Sequence, residues 1–398
     1  MRSAVEHAKT LVLERIWLRW VDRMLAARRS ARSGTAERTG TPATTRAMMA
    51  EIRRALVAGA NGIIGKALMQ ELAAADGWHA RALSRRPHGS SGDITADLTD
   101  PHMTRAALAQ ARDTTHLFYA ALAPHPSLAE EDRVNGAMLR NLLDGLDAVG
   151  APLERVVLYQ GAKVYGVHLG PVPAPFYEDE NPRHIGPNFY FTQEDVLRRR
   201  AERGGAAWSI LRPDVVVGDA AGNAMNIAMV IGAYAALCRM EGAAFRFPGP
   251  THVYEGVFAQ VTDARALGRA SLWAATADAA RGEAFNYVHE PFRWRRVWEK
   301  LATALDLPLG PPVPMRLATH MADKKPAWEK LVAEQGLSDM PYERAVGWGF
   351  GDFVFHSDFD LVSDMGKIRR AGFGESVDNV EALVSAIRRL QEAKVLPR

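Results

Sequence analysis

The stretch GANGIIG, residues 59–65, decides the fold because it carries three glycines in the spacing G-x-x-G-x-x-G. It joins RRALVAGA, which predicts a buried strand, to GKALMQELAAADG, which predicts a helix ending at Gly77. At such a junction the glycines permit a tight turn, a close approach of a ligand to the backbone, and close packing of helix on strand. Because the first amides of a helix attract anions, the stretch predicts a site for a dinucleotide pyrophosphate, formed by Gly59, Asn61, Gly62, Ile63, Ile64 and Gly65.

Strands and helices alternate from this stretch to about residue 220. The next predicted strands are WHARALSRRP (78–87), one just before ADLTD (96–100), THLFYAAL (115–122), ERVVLYQG (154–161) and AAWSILRPDVVVG (206–218). The predicted helices between them are TRAALAQARD (104–113), EDRVNGAMLRNLLDGLDAVG (131–150) and TQEDVLRRRAERGG (192–205). Such alternation predicts an α/β fold with a Rossmann-type doubly wound parallel sheet and helices on both faces.

The basic end of the second predicted strand indicates which dinucleotide binds. LSRRP (83–87) offers a hydroxyl and two guanidiniums from Ser84, Arg85 and Arg86, and no acidic residue that could accept from ribose hydroxyls. Guanidiniums suit a 2′-phosphate, so we expect NADP(H) rather than NAD; the alternative is a solvated pair of surface arginines. Asp97 and Leu98 follow the third strand and are expected to flank the adenine.

The chain therefore divides into three predicted parts. Residues 53–220 form the NADP-binding domain, and residues 221–398, rich in tryptophan, phenylalanine and proline as in EPFRWRRVWEKL, form mainly a smaller C-terminal substrate-capping lobe with segments returning to the sheet. Residues 1–52 are a basic extension and linker, predicted to be non-catalytic. The alternatives for this extension are a basic amphipathic helix that contacts a membrane surface or a partner, or translation starting at Met48 or Met49.

Composition excludes several classes of function. A net charge of +3 over 398 residues gives no reason to expect nucleic acid as a partner. The single cysteine, Cys238, excludes an intrachain disulfide and suits a reducing compartment, so we expect a cytoplasmic protein. No apolar run is long enough for a transmembrane helix, and the histidines show no metal-ligand spacing, so we expect neither membrane integration nor a metal.

Two tyrosines compete for one chemical role. In YQGAKVYG (159–166), Tyr159 and Lys163 show the spacing Y-x-x-x-K, by which short-chain dehydrogenases place a phenol and an ammonium beside a nicotinamide. This pair straddles the end of a predicted strand, with Gly161 between its members, so the spacing does not put both side chains on one helical face. In NFYFTQED (188–195), Tyr190 precedes a predicted helix, but Glu194 stands four residues later, where a lysine is expected.

This layout resembles the progesterone 5β-reductase/iridoid synthase family of short-chain dehydrogenase-like enone reductases. The resemblance covers about residues 53–398 and rests on GANGIIG, SRRP, ADLTDP, THLFYAAL, GAKVYG, NFYFTQEDVL, WSILRP, EGAAFRFPG, GEAFN and SDMGKIRRAGF. It implies that Tyr190 and Lys163 are the catalytic pair, with the lysine reaching the phenol from a loop. Leu122 stands where the plant members have tryptophan, and Val164 where they often have histidine, so a steroid or iridoid substrate does not carry over.

The remaining predicted contacts come from the segments around these residues. Further cofactor contacts are expected at Ala120, Gln160, Tyr190, Pro213, Val215 and Val216. The substrate pocket is expected to include Leu122, Phe176, Met225 and Asn226.

The expected reaction is NADPH-dependent reduction of the activated C=C bond of an α,β-unsaturated carbonyl compound. Tyr190 would stabilise the enolate, with Lys163 orienting it. One alternative is an extended short-chain dehydrogenase or epimerase acting on a sugar nucleotide or another alcohol or ketone, against which Glu194 argues. The other is a non-catalytic NADP sensor, disfavoured because both Tyr190 and Lys163 are present. The expected partner is a small-molecule enone, with a homodimer as a further possibility.

Overall fold

Alternating strands and helices build one large sheet in the computed structural model, which describes residues 52–87, 89, 92–180 and 186–398. The predicted extension, apart from Ile52, lies outside the described residues. The strands are β1 (Arg53–Ala58), β2 (Trp78–Ser84), β3 (Ile94–Thr95), β4 (His116–Tyr119), β5 (Arg155–Tyr159), β6 (Ala207–Arg212), β7 (Val216–Val217), β8 (Phe245–Arg246), β9 (Phe258–Ala259), β10 (Thr262–Asp263), β11 (Glu283–Asn286), β12 (Phe292–Arg293) and β13 (Leu309–Gly310).

Seven of these strands form the central sheet, in the order β11-β6-β5-β4-β1-β2-β3. Every neighbouring pair runs parallel. The strand order reverses between β1 and β4, and in a doubly wound sheet a ligand crevice opens at that reversal, outside the carboxyl ends of the strands. The predicted Rossmann-type fold is confirmed.

Helices cover both faces of this sheet, and the described residues form fourteen α-helices in all. They are α1 (Ile63–Ala74), α2 (Pro101–Ala107), α3 (Leu128–Ala148), α4 (Phe189–Glu202), α5 (Ile227–Glu241), α6 (Thr251–Glu255), α7 (Ala264–Thr276), α8 (Trp294–Ala304), α9 (Leu317–His320), α10 (Lys325–Gln335), α11 (Tyr342–Ala345), α12 (Trp348–Phe355), α13 (Gly366–Arg370) and α14 (Asn379–Glu392). Side chains of a strand alternate between faces, so Val57 packs with α1 and α7 while Leu56 packs with α3 and α4.

A second core lies beyond the sheet and is rich in aromatic residues. Helix α5 is buried from Ile227 to Cys238 and packs against α12 and α14. The rings of Phe245 and Trp298 stack with centroids 4.4 Å apart and planes 8° apart. The segment 264–286 returns to the large sheet, because α7 packs on α1 and β11 pairs with β6.

The glycine-rich turn depends on direct contact between backbones. Gly59 has φ +84°, and a Cβ there would lie 2.6 Å from the carbonyl oxygen of Ala120. A Cβ on Gly65 would lie 2.3 Å from the carbonyl oxygen of Gly59. Because both contacts are with backbone atoms, which cannot move aside as a side chain can, Gly59 allows the turn to approach the end of β4 and Gly65 allows α1 to approach the turn.

Gly65→Ala should lower the free energy of unfolding by about 1–3 kcal/mol, since the added methyl group must displace the backbone. The matched control is Gly349→Ala in α12, where a Cβ would meet no atom within 4 Å and the change should be neutral or stabilise by about 0.5–1 kcal/mol. Urea denaturation of both variants measures the difference. Equal midpoints would show that the turn tolerates a side chain.

Candidate active site

A cavity of about 440 Å³ lies at the carboxyl ends of β1, β2 and β4. It is lined by ten of the residues expected to contact cofactor or substrate, which are Gly59, Asn61, Gly62, Ser84, Arg85, Arg86, Leu98, Ala120, Leu122 and Met225. Its opposite wall is the segment Ala221–Met225, of which only Met225 was predicted. The feature of the sequence that could have indicated this wall is the run of small residues in DAAGNA (219–224).

The glycine turn and the start of α1 form the anion-binding part of the cavity. Gly62 is the N-cap of α1 and makes no side-chain capping hydrogen bond, so the first amides of the helix are oriented for an external acceptor. The side-chain amide of Asn61 donates to Ser84 Oγ and to the Arg86 carbonyl oxygen, both at 3.0 Å. It thereby ties the turn to the end of β2.

The far end of the cavity is basic. Arg85 and Arg86 are exposed at its edge. The pKa of the nearby Asp97 carboxyl is lowered, mainly by hydrogen bonds from the amide and hydroxyl of Thr99 and further by the charge of Arg85. The glycine turn leaves room for a ligand beside the backbone, the first amides of α1 are free of a side-chain cap, and two guanidiniums lie at the edge of the cavity. These three features together fit a dinucleotide that carries an additional phosphate.

Tyr190 lies at the same edge of the sheet but outside this cavity. It stands in the first turn of α4, where its amide donates to the capping side chain of Asn188 at 3.1 Å. A Cβ on Gly161, at the end of β5, would lie 3.2 Å from the phenol oxygen and 3.9 Å from the phenol ring. The phenol therefore fills the space that a side chain at position 161 would need.

The surroundings of this phenol keep it protonated. Burial raises the pKa of Tyr190, the charges of Asp214 and Glu131 raise it further, and a hydrogen bond with the Gly161 backbone offsets part of the effect. A neutral phenol donates a hydrogen bond, whereas a phenolate accepts one. Tyr190 is therefore suited to donate to an oxygen on which negative charge develops.

Lys163 follows β5 in a short 3₁₀ helix (Ala162–Tyr165), and its side chain is 45% exposed. Its Nζ lies 3.9 Å from Oε2 of Glu131, a buried residue in the first turn of α3. Glu131 is thus a neighbour of both Lys163 and Tyr190, and nothing in the sequence pattern pointed to it. Tyr159, by contrast, is buried in β5 and donates to Ser271 Oγ at 2.8 Å, so its phenol is engaged inside the core.

Glu194 is part of a buried polar network. Its Oε1 accepts from Arg198 Nε at 2.9 Å and Nη2 at 2.7 Å, and its Oε2 lies 3.7 Å from Nη2 of Arg212. Gln160 Nε2 donates to Glu194 Oε2 at 3.1 Å and to the carbonyl oxygen of Tyr190 at 3.2 Å, while Gln160 Oε1 accepts from Arg212 Nε at 2.9 Å. The side chains of Glu194 and Arg212 are 3% and 2% exposed. The network therefore holds the first turn of α4 against the ends of β5 and β6.

The other predicted contacts occupy several different places. Gln160 is committed to the network, and Val216 pairs with Thr262 of β10. Val215 lines a small separate cavity beside Phe258 and Phe353. The carbonyl oxygen of Pro213 lies 3.7 Å from the Cβ position of Gly161, on the side of the phenol. Ile63 and Ile64 belong to the first turn of α1.

Two residues predicted for the substrate pocket lie away from the 440 Å³ cavity. Phe176 is buried and stacks on Tyr165, with ring centroids 5.2 Å apart. Asn226 is buried as the N-cap of α5, and its Nδ2 donates to the carbonyl oxygens of Gly218 and Ala220. Leu122 and Met225 line the cavity.

Two further findings concern what the described residues lack. None of their helices has both the length and the apolar character needed to cross a membrane. Among the same residues, no three His, Cys, Asp or Glu side chains are grouped so that they could hold a metal ion.

Comparison with known proteins gives a family and two kinds of relative. A family model described as a PRISE-like Rossmann-fold domain matches residues 92–397. The (S)-8-oxocitronellyl enol synthase of Camptotheca acuminata is 32% identical, over 86% of this chain and 93% of that protein. The 3-oxo-Delta(4,5)-steroid 5-beta-reductase of Arabidopsis thaliana is 30% identical over the same shares.

Solved structures with the same fold are more distant in sequence. A UDP-glucose 4-epimerase of Thermus thermophilus, in complex with NAD, superposes with a TM-score of 0.58 at 19% identity, covering 85% of this chain and 99% of that one. RMD from Pseudomonas aeruginosa, complexed with NADPH, superposes with a TM-score of 0.56 at 17% identity, covering 86% and 97%. At this level of identity the likeness concerns the fold alone.

The buried network makes a prediction about Glu194. Glu194→Lys, which would create the spacing Y-x-x-x-K, should lower the free energy of unfolding by about 3–5 kcal/mol because it places a cation beside the buried Arg212. Glu194→Gln keeps the shape and should cost about 1–3 kcal/mol. Urea denaturation of the two variants checks this order. A Lys variant as stable as the wild type would mean that the network does not hold the helix.

Proposed function

The chain belongs to the PRISE-like Rossmann-fold family, and from this premise we propose that it is an NADPH-dependent oxidoreductase that reduces the activated C=C bond of α,β-unsaturated carbonyl compounds. The observation that carries the proposal is the packing of the Tyr190 phenol against Gly161, in surroundings that raise the pKa of the phenol. The buried Glu194 holds the helix of Tyr190 and stands where a lysine would complete the Y-x-x-x-K spacing. Relatives at 30–32% identity are named as an enol synthase and a steroid reductase.

The residues of the large cavity would hold the cofactor. Its pyrophosphate would lie on the glycine turn and the first amides of α1, and its 2′-phosphate would meet Arg85 and Arg86. Leu98 would lie against the adenine, on the opposite side from the segment Ala221–Met225. When bound, NADPH supplies a hydride to the β-carbon of the substrate.

Tyr190 and Lys163 act on the other end of the substrate. As the C=C bond is reduced, negative charge develops on the carbonyl oxygen, and a hydrogen bond from the Tyr190 phenol stabilises that charge more in the transition state than in the ground state. Lys163, exposed on the adjoining loop and close to Glu131, adds positive potential at the same edge. The raised pKa of the phenol favours this donor role over the base role that alcohol oxidation by a sugar-nucleotide enzyme requires.

Four further features belong to the same proposal. Residues 221–398 act mainly as the substrate-binding lobe, and the protein is cytoplasmic, as its single cysteine suggests. The partner is a small-molecule enone, and a homodimer is consistent with the fold.

Tyr190→Phe should lower kcat with a small enone and NADPH by about 10²- to 10³-fold, because one donor to a developing oxyanion is removed. NADPH consumption, followed by its absorbance across cyclic, linear and steroidal enones, measures this. The control is Tyr254→Phe, a tyrosine buried in the aromatic core of the lobe, which should keep wild-type turnover. Wild-type turnover in the Tyr190 variant would remove this phenol as the donor.

Arg85→Glu should weaken NADPH binding by about 10- to 100-fold and change NADH binding far less, because a carboxylate would repel the 2′-phosphate. Fluorescence titration with each nucleotide gives the two dissociation constants. Lys300→Glu makes the same charge change at an exposed site in the lobe and should leave both constants alone. Equal losses for the two nucleotides would reject a 2′-phosphate site at Arg85.

A further inference from the structure

We propose that Asn188 is a positioning residue, which holds the loop of Lys163 at a fixed place beside the helix of Tyr190. This role rests on the proposed enone reduction. Asn188 is the N-cap of α4 and is 7% exposed, and it was not among the residues predicted from the sequence to form the site. It would act through Lys163 and Tyr190, without contact with the substrate.

The side-chain amide of Asn188 joins the backbones of the two proposed catalytic residues. Its Oδ1 accepts from the amide of Tyr190 at 3.1 Å. Its Nδ2 donates to the carbonyl oxygen of Lys163, 25 residues away in the chain, also at 3.1 Å. Because a backbone N–H can only donate and a carbonyl oxygen can only accept, one orientation of the planar amide satisfies both partners. A single rigid group therefore sets the distance between the loop of Lys163 and the first turn of α4.

Capping alone does not require an asparagine at this position. Aspartate, serine and asparagine are about equally good N-caps, and three helices of this chain have caps that each accept from two amides of their own first turn, namely Asp100, Asp263 and Asp378. Asparagine differs because its Nδ2 adds a donor. Asn226, the cap of α5, also uses that donor to hold two carbonyl oxygens of the preceding loop. Asparagine caps thus occur here where the cap also holds a neighbouring loop.

The side chain of Lys163 is held less firmly than its backbone. It is 45% exposed, and its Nζ lies 3.9 Å from Oε2 of Glu131, which is longer than a hydrogen bond. An ion pair of this kind does little to fix a long side chain. The carbonyl oxygen of Lys163 also accepts from the amide of Gly166 at 3.2 Å, but that bond lies within the loop. The bond from Asn188 attaches the loop to α4 at Lys163 itself.

Apolar packing keeps this loop folded without fixing its orientation. Val164 is buried and packs in one cluster with Phe191 of α4. Such contacts are not directional, so they tolerate small shifts of the loop, whereas a hydrogen bond restricts both distance and angle. Loss of the donor from Asn188 should therefore let the amine of Lys163 move while the site stays folded. The positive potential that the amine adds would then be misplaced relative to the developing enolate oxygen.

Asn188→Ser and Asn188→Asp separate the two functions of the amide. Both keep an acceptor for the first turn of α4, and neither carries an amide donor for the Lys163 carbonyl oxygen. Their urea midpoints should equal that of the wild type, while kcat with NADPH and a small enone should fall about 10- to 100-fold. Agreement between the neutral and the charged variant excludes an effect of charge. The control Asp378→Ser replaces the cap of α14 in the same way and should change neither quantity.

A double-mutant cycle tests whether Asn188 acts through Lys163. Once Lys163→Met has removed the amine, adding Asn188→Ser should lower kcat no further, because nothing remains to be positioned. A further loss as large as that in the wild-type background would mean that Asn188 acts by another route, and it would overturn the assignment.

Hydrogen exchange followed by mass spectrometry tests the bridge without any activity. In Asn188→Ser the amides of the 3₁₀ helix (Ala162–Tyr165) should exchange faster, while those of the first turn of α4 keep their wild-type rates. Equal acceleration of the two segments would show that Asn188 serves only as a cap. Unchanged exchange in both segments would show that the loop does not depend on it. Either of these two results rejects the positioning role.

The proposed function fails separately from this inference. If the wild type oxidises NADPH with none of the enones, the reductase assignment is wrong and the catalytic role of Asn188 falls with it. If the wild type turns over and both cap-preserving variants match its kcat, only the role of Asn188 is rejected. The same holds if their urea midpoints fall together with kcat, because the loss is then one of stability.

Discussion

The site depends on one buried ion pair, that of Glu194 with Arg212. Both side chains are nearly inaccessible to water, and a buried charge is tolerated only when partners and hydrogen bonds compensate it. Gln160 provides part of this compensation, and the same amide of Gln160 holds the carbonyl oxygen of Tyr190. One hydrogen-bond network thus both compensates the buried charges of Glu194 and Arg212 and fixes the backbone that carries Tyr190. A lysine at position 194 would oppose Arg212, so this network accounts for the glutamate that stands there.

The consequence for chemistry lies in the protonation of the phenol. Where a lysine stands beside a tyrosine, the pKa of the phenol falls and the residue can act as a base. Here burial and two carboxylates raise the pKa of Tyr190, so the group remains a donor. A donor suits an enolate oxygen, on which negative charge appears, whereas alcohol oxidation needs a group that removes a proton. The electrostatics of the site therefore favour a hydrogen-bond donor over a base at Tyr190.

Local features of the sequence predicted most of the fold and most of the residues from the glycine turn and the end of β2 that line the large cavity. Apolar periodicity located the strands within a few residues, and the glycine spacing located the turn because its reason is steric and local. Such local signals do not predict contacts between residues that are far apart in the sequence. Arg155 begins a strand whose other residues are mostly apolar, yet its side chain is buried and donates to the carbonyl oxygen of Ala274, 119 residues away. Glu131 was missed for the same reason, because only the tertiary structure brings its carboxylate close to Lys163.

The segment between β7 and α5 links the cofactor end of the site to the lobe. Asp219 accepts a hydrogen bond from Lys66 of α1 at 3.0 Å, and Asn226, which begins α5, donates to the carbonyl oxygens of Gly218 and Ala220. One wall of the cavity is therefore anchored both to the helix after the glycine turn and to the buried helix of the aromatic core. A ligand held on the glycine turn would therefore lie against a wall whose position is fixed at both of its ends.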